Sequence, residues 1–516
     1  MTELLSTASR PRAGWGRTTR AVLAFAVLLV GTDLLVWQVL PPGLNLALVF
    51  AAIGIALLAL SRARRTDRSV VVTGIVWAVS LLPLIEAPSL IGVLVALTGT
   101  SLLALATARC LPRRFEDLTG TLLRFGVLAP FRLPADLLRL LAGKAWKGLH
   151  GRLLRGLLTW LVPVGFALAF LLLFSAANPV IEDVLRAIRV ESTLDLLQPW
   201  RVALWVLVGA VLWPLLRPRL LGWPKQRQMQ GPVRPSPESL LFGRAAILRS
   251  LIVFNLLFAV QTVMDVLYLW GGVRLPDGLS YADYAHRGAY PLIATALLAA
   301  GFVLVALRPG GPAQEAPLIR QLVYVWIGQN VLLVISSILR LDLYVQVYSL
   351  TEMRVAAGIW MGLVAVGLVL ILLRILWRRS NAWLITSNLA ALGLTLFVTA
   401  FVDFSAVIAQ FNVENSRELG GKGQSLDLAY LWELGPSALP AVQMYLAKAQ
   451  GRSESDLADF RVFAEDMTDR LLAGPVDWRS WSFRWQRLSD WARSIGPEIE
   501  RRPDAGEGGA SSAGSG

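Results

Sequence analysis

The sequence predicts an all-α fold, namely a polytopic membrane helix bundle of about 11 transmembrane helices with a small helical C-terminal extracytoplasmic domain. Eleven apolar stretches, each long enough to cross about 30 Å of hydrocarbon, occupy the first four-fifths of the chain. The loops between them alternate between strongly basic and nearly uncharged. Composition agrees, because 55% of the residues are hydrophobic and the mean hydropathy is +0.58, which is typical of a chain solvated by lipid.

The predicted membrane spans follow these apolar stretches, and the second, third, sixth and eighth are the shortest. The spans are 21–40, 44–60, 69–85, 89–107, 157–176, 202–216, 249–270, 291–307, 321–339, 355–375 and 382–404. The first is longer than the apolar region of a signal peptide, and it ends in Val39-Leu40-Pro41-Pro42 rather than a small-x-small cleavage site. It therefore predicts an uncleaved first helix.

Basic residues are distributed unevenly between the loops. Of the 49 lysines and arginines, 30 fall on the N-terminus and alternate loops, 7 on the opposite loops and 12 after residue 404. Cytoplasmic loops carry the basic excess, so this bias predicts a cytoplasmic N-terminus, and an odd number of spans then predicts an extracytoplasmic C-terminus. Because the charge lies beside the spans, the net +14 indicates anionic inner-leaflet lipids as partners and not nucleic acid.

Spans and loops together divide the chain into five predicted regions. These are an N-terminal six-helix membrane region (1–216), a cytoplasmic linker (217–248), a five-helix membrane region (249–404), an extracytoplasmic helical domain (405–500) and a disordered tail (501–516). The cytoplasmic segment 115–156 carries, after Pro134, leucines on an imperfect helical stripe with basic residues largely off it. This pattern predicts a helix in the inner membrane interface, and a plain helical linker is the alternative.

Polar residues inside the spans are the main candidates for function, because burying them in lipid is costly unless they find partners. Gln261 and Asp265 lie one turn apart on span seven, and therefore on one face. Four further charged residues lie at the outer ends of spans: Asp33, Arg340, Asp342 and Asp403. If these faces converge, they enclose a polar site open to the outside. The alternative is interhelical hydrogen bonding, worth about 0.6–2 kcal/mol per contact.

Two predicted outer segments extend this candidate site. The first, 273–290, carries Asp283, His286 and Arg287. The second, 340–354, adds Glu352 and Arg354, and we expect the two segments to meet over the outer end of the bundle. Mutual pairing of these groups would make the cluster structural, whereas carboxylates lining a cavity with Asp265 would favour a ligand site.

Motifs of the common enzyme classes are absent from the sequence. It has no Walker A, G-x-S-x-G or H-E-x-x-H pattern. Its two histidines, His150 and His286, and its single cysteine, Cys110, exclude sites built from several His or Cys ligands. We therefore predict no catalytic residue, no metal site and no cofactor, while a site made only of carboxylates stays open.

Four ordered motifs carry a resemblance to a known family. They are FNLLFAVQTVMDVLYLWGG (254–272), LPDGLSYADYAHRGAYPLI (275–293), YVQVYSLTEMRVAAGIWM (344–361) and DLAYLWELGPSALPAV (427–442). Over roughly residues 245–490 the chain resembles bacterial polytopic membrane proteins catalogued as domain of unknown function 4153 or 4173. Ser349 stands where the family pattern would have glycine. The resemblance implies a multi-pass protein of the bacterial plasma membrane with no established activity, and it adds weight to the candidates inside the motifs.

Three classes of function stay open on the sequence alone. The first is a non-catalytic envelope or signalling partner with an outward-facing polar site, which would dock an envelope protein through 405–500. A transporter of a small solute or lipid is the alternative, and a broken helix or inverted repeat would favour it. A membrane enzyme on a lipid-linked substrate is the third, although the first outer loop, Pro41-Pro42-Gly43, is short for that class.

Overall fold

A computed structural model describes residues 15–61, 67–141, 198–218, 244–267, 317–421, 423–449, 453–475 and 477–500. Within these ranges the regular elements are all helices, as the sequence predicts. The chain divides into two compact units. Unit 1 comprises Met1–Lys225 and Asp477–Trp481, and unit 2 comprises Gln226–Val476 and Ser482–Gly516.

Unit 1 is built mainly from apolar helices of the N-terminal half. Its α-helices are α1 (Trp15–Val36), α2 (Leu44–Ala59), α3 (Arg68–Ser80), α4 (Leu82–Glu86), α5 (Leu90–Thr107), α6 (Leu118–Leu128), α7 (Arg132–Leu141) and α8 (Pro199–Leu216), with short 3-10 turns at Phe115–Asp117 and Trp478–Ser480. Phe25 contacts Trp213 with ring centroids 5.5 Å apart, while Asp33 pairs with Arg201. Since the contacts run in opposite order along the two helices, α1 and α8 are antiparallel.

One end of unit 1 carries five of its described basic residues. They lie just after α5 and α8 or at the start of α3: Arg68, Arg109, Arg113, Arg114 and Arg217. Near this end Leu57, Leu103 and Leu212 pack with Phe125 of α6 in a buried cluster. The opposite end carries the α1–α2 connection and the start of α8.

Unit 2 contains four long helices followed by five shorter ones. They are α9 (Arg244–Asp265), α10 (Pro317–Tyr348), α11 (Glu352–Leu376), α12 (Asn381–Thr399), α13 (Phe404–Glu414), α14 (Leu428–Leu434), α15 (Leu439–Lys448), α16 (Glu454–Ala473) and α17 (Phe483–Glu500), with 3-10 turns at Arg417–Leu419 and Gly435–Ala438.

Helices α9 and α10 run in the same direction. Asn255 contacts Leu322, and further along both helices Asp265 contacts Arg340. A short turn, 349–351, joins α10 to α11, so α11 runs back along α10, and α12 reverses direction again. The C-terminal ends of α9, α10 and α12 and the start of α11 therefore lie together at one end of unit 2.

Seven described segments are long and apolar enough to cross a membrane. They are Thr19–Val36, Arg68–Glu86, Leu90–Thr107, Ile247–Asp265, Pro317–Tyr348, Glu352–Leu376 and Asn381–Thr399. Two shorter apolar helices, Leu44–Ala59 and Trp200–Leu216, match the short second and sixth predicted spans. The predicted spans 157–176 and 291–307 lie outside the described residues, so the count of eleven stays a prediction. Seven such helices indicate a membrane-embedded protein with several spans.

The face of α1 that points away from unit 1 is suited to lipid. Leu23, Val27, Val30 and Leu34 follow one another at helical spacing, and each is 59% to 65% exposed. A stripe of large apolar side chains this exposed is unusual on a soluble helix but expected where hydrocarbon replaces water.

Two predicted span ends are wrong, and both corrections concern candidate residues. The sequence predicts that span nine ends before Arg340, but α10 continues to Tyr348, so Arg340 and Asp342 lie within the helix and not in a loop. Span eleven is predicted to run through Asp403, but α12 ends at Thr399. Asp403 instead caps α13, where its Oδ1 accepts from the Ala406 backbone N–H at 3.2 Å. A capping carboxylate satisfies an otherwise unpaired helix N–H, which favours a new helix there.

Helices α13–α17, called the C-terminal helices below, share a hydrophobic core. Its completely buried side chains include Ile408, Val413, Leu439, Val442 and Phe463. Trp485 and Trp491 pack against this core, and Trp432 meets the Phe463 ring edge-on at 4.9 Å. That these helices form a separate extracytoplasmic domain stays a prediction.

Candidate polar site

The centre of the candidate site is an ion pair between α9 and α10. Arg340 donates from a terminal guanidinium nitrogen to Asp265 Oδ1, and the two residues are only 2% and 1% exposed. Gln261, one turn earlier on α9, donates from Nε2 to the same oxygen at 2.9 Å. The expectation that this face of span seven turns inward is confirmed. The neighbouring guanidinium explains why a carboxylate is tolerated inside a spanning helix.

Two amide side chains hold the same helix pair together nearer its middle. Asn255 Nδ2 donates to the carbonyl of Leu251 at 2.7 Å and to that of Leu322 at 3.1 Å. Gln329 Nε2 donates to the Asn255 carbonyl at 3.1 Å. The bonds of Asn255 to Leu322 and of Gln329 to Asn255 are interhelical hydrogen bonds, of the kind expected where polar groups are buried between apolar helices.

The turn between α10 and α11 is the second cluster of candidate residues. Arg354 donates to the carbonyls of Tyr348, at 2.6 Å, and Ser349, and its guanidinium lies 4.7 Å from the centroid of the Tyr344 ring. Its charge therefore caps the last carbonyls of α10. Glu352 begins α11 with an exposed carboxylate, and its backbone N–H donates to the Tyr430 hydroxyl at 3.1 Å.

The C-terminal helices meet this turn through two side chains. Asn412 of α13 donates from Nδ2 to the Leu350 carbonyl at 3.0 Å, and its Oδ1 accepts from the Leu350 N–H at 2.7 Å. One amide thus satisfies both polar groups of a backbone residue that has left the helix. Tyr430 of α14 supplies the other contact, and burial raises the pKa of its phenol.

Ser349 adopts a backbone conformation that favours glycine. Its φ is +69°, in the left-handed region. The glycine expected from the family resemblance at this position is thus explained by the turn. Serine at this position carries the free-energy cost of placing a Cβ in the left-handed region, which glycine would avoid.

Asp403 belongs to a third cluster, among the C-terminal helices. Besides capping α13, it accepts from the Ser437 hydroxyl at 2.8 Å and lies 3.6 Å from the Arg484 Nε. Arg484 also donates to the Phe401 carbonyl at 3.4 Å. The carboxylate connects the end of α12 with α13, the Gly435–Ala438 turn and α17.

Asp33 has its described partners in unit 1. Arg201 of α8 donates through Nε to Asp33 Oδ1 at 2.9 Å, and Trp205 Nε1 donates to the same oxygen at 2.8 Å. The Arg201 guanidinium lies 5.4 Å from the Trp37 ring and 5.7 Å from the Trp205 ring. This arrangement satisfies the carboxylate with a cation and aromatic neighbours of its own unit.

A segment from late in the chain completes unit 1. Asp477–Trp481, called the strap below, crosses the α1–α2 connection, where the Trp481 carbonyl accepts from the Leu44 N–H at 2.7 Å. A Cβ on Gly43 would lie 2.2 Å from the Ser480 carbonyl carbon, so only glycine permits this approach. Arg479 donates to the Leu34 carbonyl and to Asp477, and its hydrogen bonds lower the pKa of that carboxyl.

The predicted residues thus divide among several clusters rather than one. The structure brings together Gln261, Asp265 and Arg340, and separately Glu352 and Arg354. Asp342 is exposed, and Gln346 donates to it at 2.8 Å. Asp283, His286 and Arg287 lie outside the described residues, so the meeting of their loop with 340–354 stays a prediction. In the part of the chain that is described, no group of three His, Cys, Asp or Glu is arranged to hold a metal.

Sequence reasoning missed Arg201, Asn412, Tyr430 and Arg484, which supply partners to the predicted residues. Arg201 stands at the start of a predicted span, on the side of the membrane where the loops carry few basic residues. An arginine in that position indicates a carboxylate partner on a neighbouring helix. Tyr430 lies inside the fourth motif. Asn412 and Arg484 carried no signal, because polar residues in a mixed helical region are ordinarily solvated.

The sequence matches the protein family described as Domain of unknown function (DUF4153) over residues 73–445. The chain belongs to this family. The match begins within α3 and ends within α15, so it includes helices of unit 1 that the resemblance over 245–490 leaves out, and it stops before α16. No curated protein and no solved structure matches the chain.

Three of the four family motifs supply polar contacts in the described structure. Asp265 comes from the first motif, Arg354 from the third and Tyr430 from the fourth. The second motif lies outside the described residues. Contacts between the third and fourth motifs run through Glu352 and Tyr430, so these two stretches of family sequence form one junction.

Proposed function

We propose that this family member is a non-catalytic membrane protein that holds its C-terminal helices outside the cytoplasm as a docking surface for a protein of the cell envelope. The observation that carries the proposal is the attachment of the α10–α11 turn to these helices. Asn412 and Tyr430 bond to backbone groups of Leu350 and Glu352, and backbone partners leave little freedom of orientation. A surface that must be presented in one orientation needs such an attachment.

Charge distribution supports the outward orientation. Five described basic residues in or beside the membrane helices of unit 2 lie at the end opposite the α10–α11 turn: Arg249, Arg320, Arg374, Arg378 and Arg379. Only Arg340, which is paired with Asp265, and Arg354, which caps α10, are described in these helices near the turn. Basic residues favour the cytoplasmic side, so the C-terminal helices would lie on the other side.

The face of α16 that points away from the core is the proposed contact surface. Val462 and Leu472 are 57% and 44% exposed there, and Glu465 and Asp469 lie between them at helical spacing. Exposed apolar residues beside acidic ones suit a partner with an apolar patch and basic neighbours.

Site-specific photo-crosslinking in living cells tests the proposal. A photoreactive side chain at Val462 or Leu472 should yield one adduct of defined mass. The double substitution Glu465→Lys with Asp469→Lys should abolish the adduct and reproduce the deletion phenotype at unchanged protein level. Glu433→Lys, an exposed change of the same type on α14, is the matched control and should do neither. A double variant that retains full cellular function would refute the docking role.

The buried ion pair favours transport as the second candidate. Ionisable groups inside spanning helices often mark ion or proton pathways, and Asp265 with Arg340 is such a pair. The exchange Asp265→Arg with Arg340→Asp distinguishes the two roles. If the pair is structural, the exchanged protein should recover both its level and its function relative to either single variant. Recovery of level without function would favour a pathway that needs the carboxylate on α9.

A further inference from the structure

Helix α6 has a second apolar face that is not buried in unit 1. Leu123 and Val127 are 58% and 67% exposed, and Phe131, just beyond the helix, is 60% exposed. Phe125 lies two residues from each of the first two and is 3% exposed in the buried cluster with Leu212. Residues two apart project in nearly opposite directions from a helix. We call Leu123, Val127 and Phe131 the α6 apolar face.

Three exposed arginines lie on α6 or just before it: Arg113, Arg114 and Arg124. We call them the arginine rim. They lie at the end of unit 1 where α2, α5 and α8 finish, next to Arg109, which is paired with Asp67 at 3.7 Å. An apolar stripe bordered by basic residues is the pattern of a helix lying in the plane of a membrane interface.

We propose that α6 is a binding surface for anionic phospholipids, with the apolar face at the acyl boundary and the arginine rim on phosphate oxygens. Guanidinium groups bind phosphate through two parallel hydrogen bonds, which suits this rim. The sequence places an interfacial helix after Pro134, mostly beyond the described residues, whereas α6 precedes it. The surface is therefore distinct from the docking surface on α16 and does not depend on it.

Lipid in contact with α6 can be detected in the full-length protein reconstituted in nanodiscs. A fluorophore is attached at Val127→Cys in a Cys110→Ser background, since Cys110 is the one cysteine of the chain. Quenching is compared between nitroxide-labelled phosphatidylglycerol and nitroxide-labelled phosphatidylcholine. We expect both to quench, with the anionic lipid preferred by about fivefold for each arginine that contacts it.

Replacing arginines of the rim tests the arginine rim separately from the α6 apolar face. Arg113→Gln with Arg114→Gln should lower the preference for phosphatidylglycerol about 25-fold, to the roughly fivefold preference that Arg124 supplies, without loss of quenching. Arg461→Gln with Arg470→Gln, two exposed arginines of α16, is the matched control and should leave the preference unchanged. Absence of quenching by either lipid would overturn the membrane contact. Equal quenching by both lipids in the unaltered protein would overturn the anionic selectivity.

Discussion

Replacing Ser349 with glycine should stabilise the protein. A side chain at φ +69° costs about 1–2 kcal/mol in the left-handed region, whereas glycine loses about 0.5–1 kcal/mol more than alanine in chain entropy on folding. The difference predicts a gain of about 0.5–1 kcal/mol in the free energy of unfolding. The Ser349 carbonyl, which accepts from Arg354, belongs to the backbone and is retained.

A denaturant titration of the detergent-solubilised protein measures this gain, because about 1 kcal/mol changes the unfolding equilibrium roughly fivefold. Ser349→Ala keeps a Cβ and should leave the midpoint nearly unchanged. Gly420→Ala is the mirror experiment, since Gly420 has φ +83° and open space around an added Cβ, and by the same balance it should lose about 0.5–1 kcal/mol. If Ser349→Gly lowers the midpoint or leaves it unchanged while Gly420→Ala destabilises, the argument from backbone conformation at Ser349 is refuted.

Three further outcomes follow from the described contacts. Asn412→Leu should cost about 1–3 kcal/mol in the same titration, because it leaves a backbone N–H and carbonyl without partners, while Asn412→Asp should cost less. Asp33→Asn should cost about 3–5 kcal/mol, since it strands a largely buried guanidinium, but Glu454→Gln in an exposed pair should cost below about 1 kcal/mol. The pKa of Asp477 is lowered, so its contribution to the strap is complete above its ordinary value of 3.8 and is lost as pH falls through the lower folded pKa. The protection factor of the Leu44 amide, the exchange rate of an unprotected amide divided by that of Leu44 at the same pH, should fall only in that acid range, and a fall at neutral pH would contradict the assignment.

Membrane helices were predictable because apolar length alone decides whether a segment can cross the bilayer. The residues at which these helices end were harder to predict. The sequence ends span nine at residue 339, because the apolar stretch stops at Arg340 and Asp342. In the structure Asp265 on a neighbouring helix neutralises Arg340, so α10 continues to Tyr348. Helix ends that depend on a partner from another helix cannot be read from local composition.

In the candidate site, likewise, some features follow from the spacing of nearby residues, whereas others depend on how distant helices pack. Gln261 and Asp265 share a face because they are four residues apart, which any helix imposes. Asp33 was grouped with them only because it also lies near an outer helix end. Its pairing with Arg201, 168 residues away, depends on α8 packing beside α1, which composition does not reveal.

The strap has a consequence for the order in which the protein is made. Arg479 and the Leu34 carbonyl that it binds are 445 residues apart in the chain. At about 5–20 residues per second, translation separates these two residues by roughly 20–90 s. Throughout that interval the first two membrane helices must be held without the hydrogen bonds that finish their connection. The N-terminal unit therefore matures only when the ribosome has almost completed the chain.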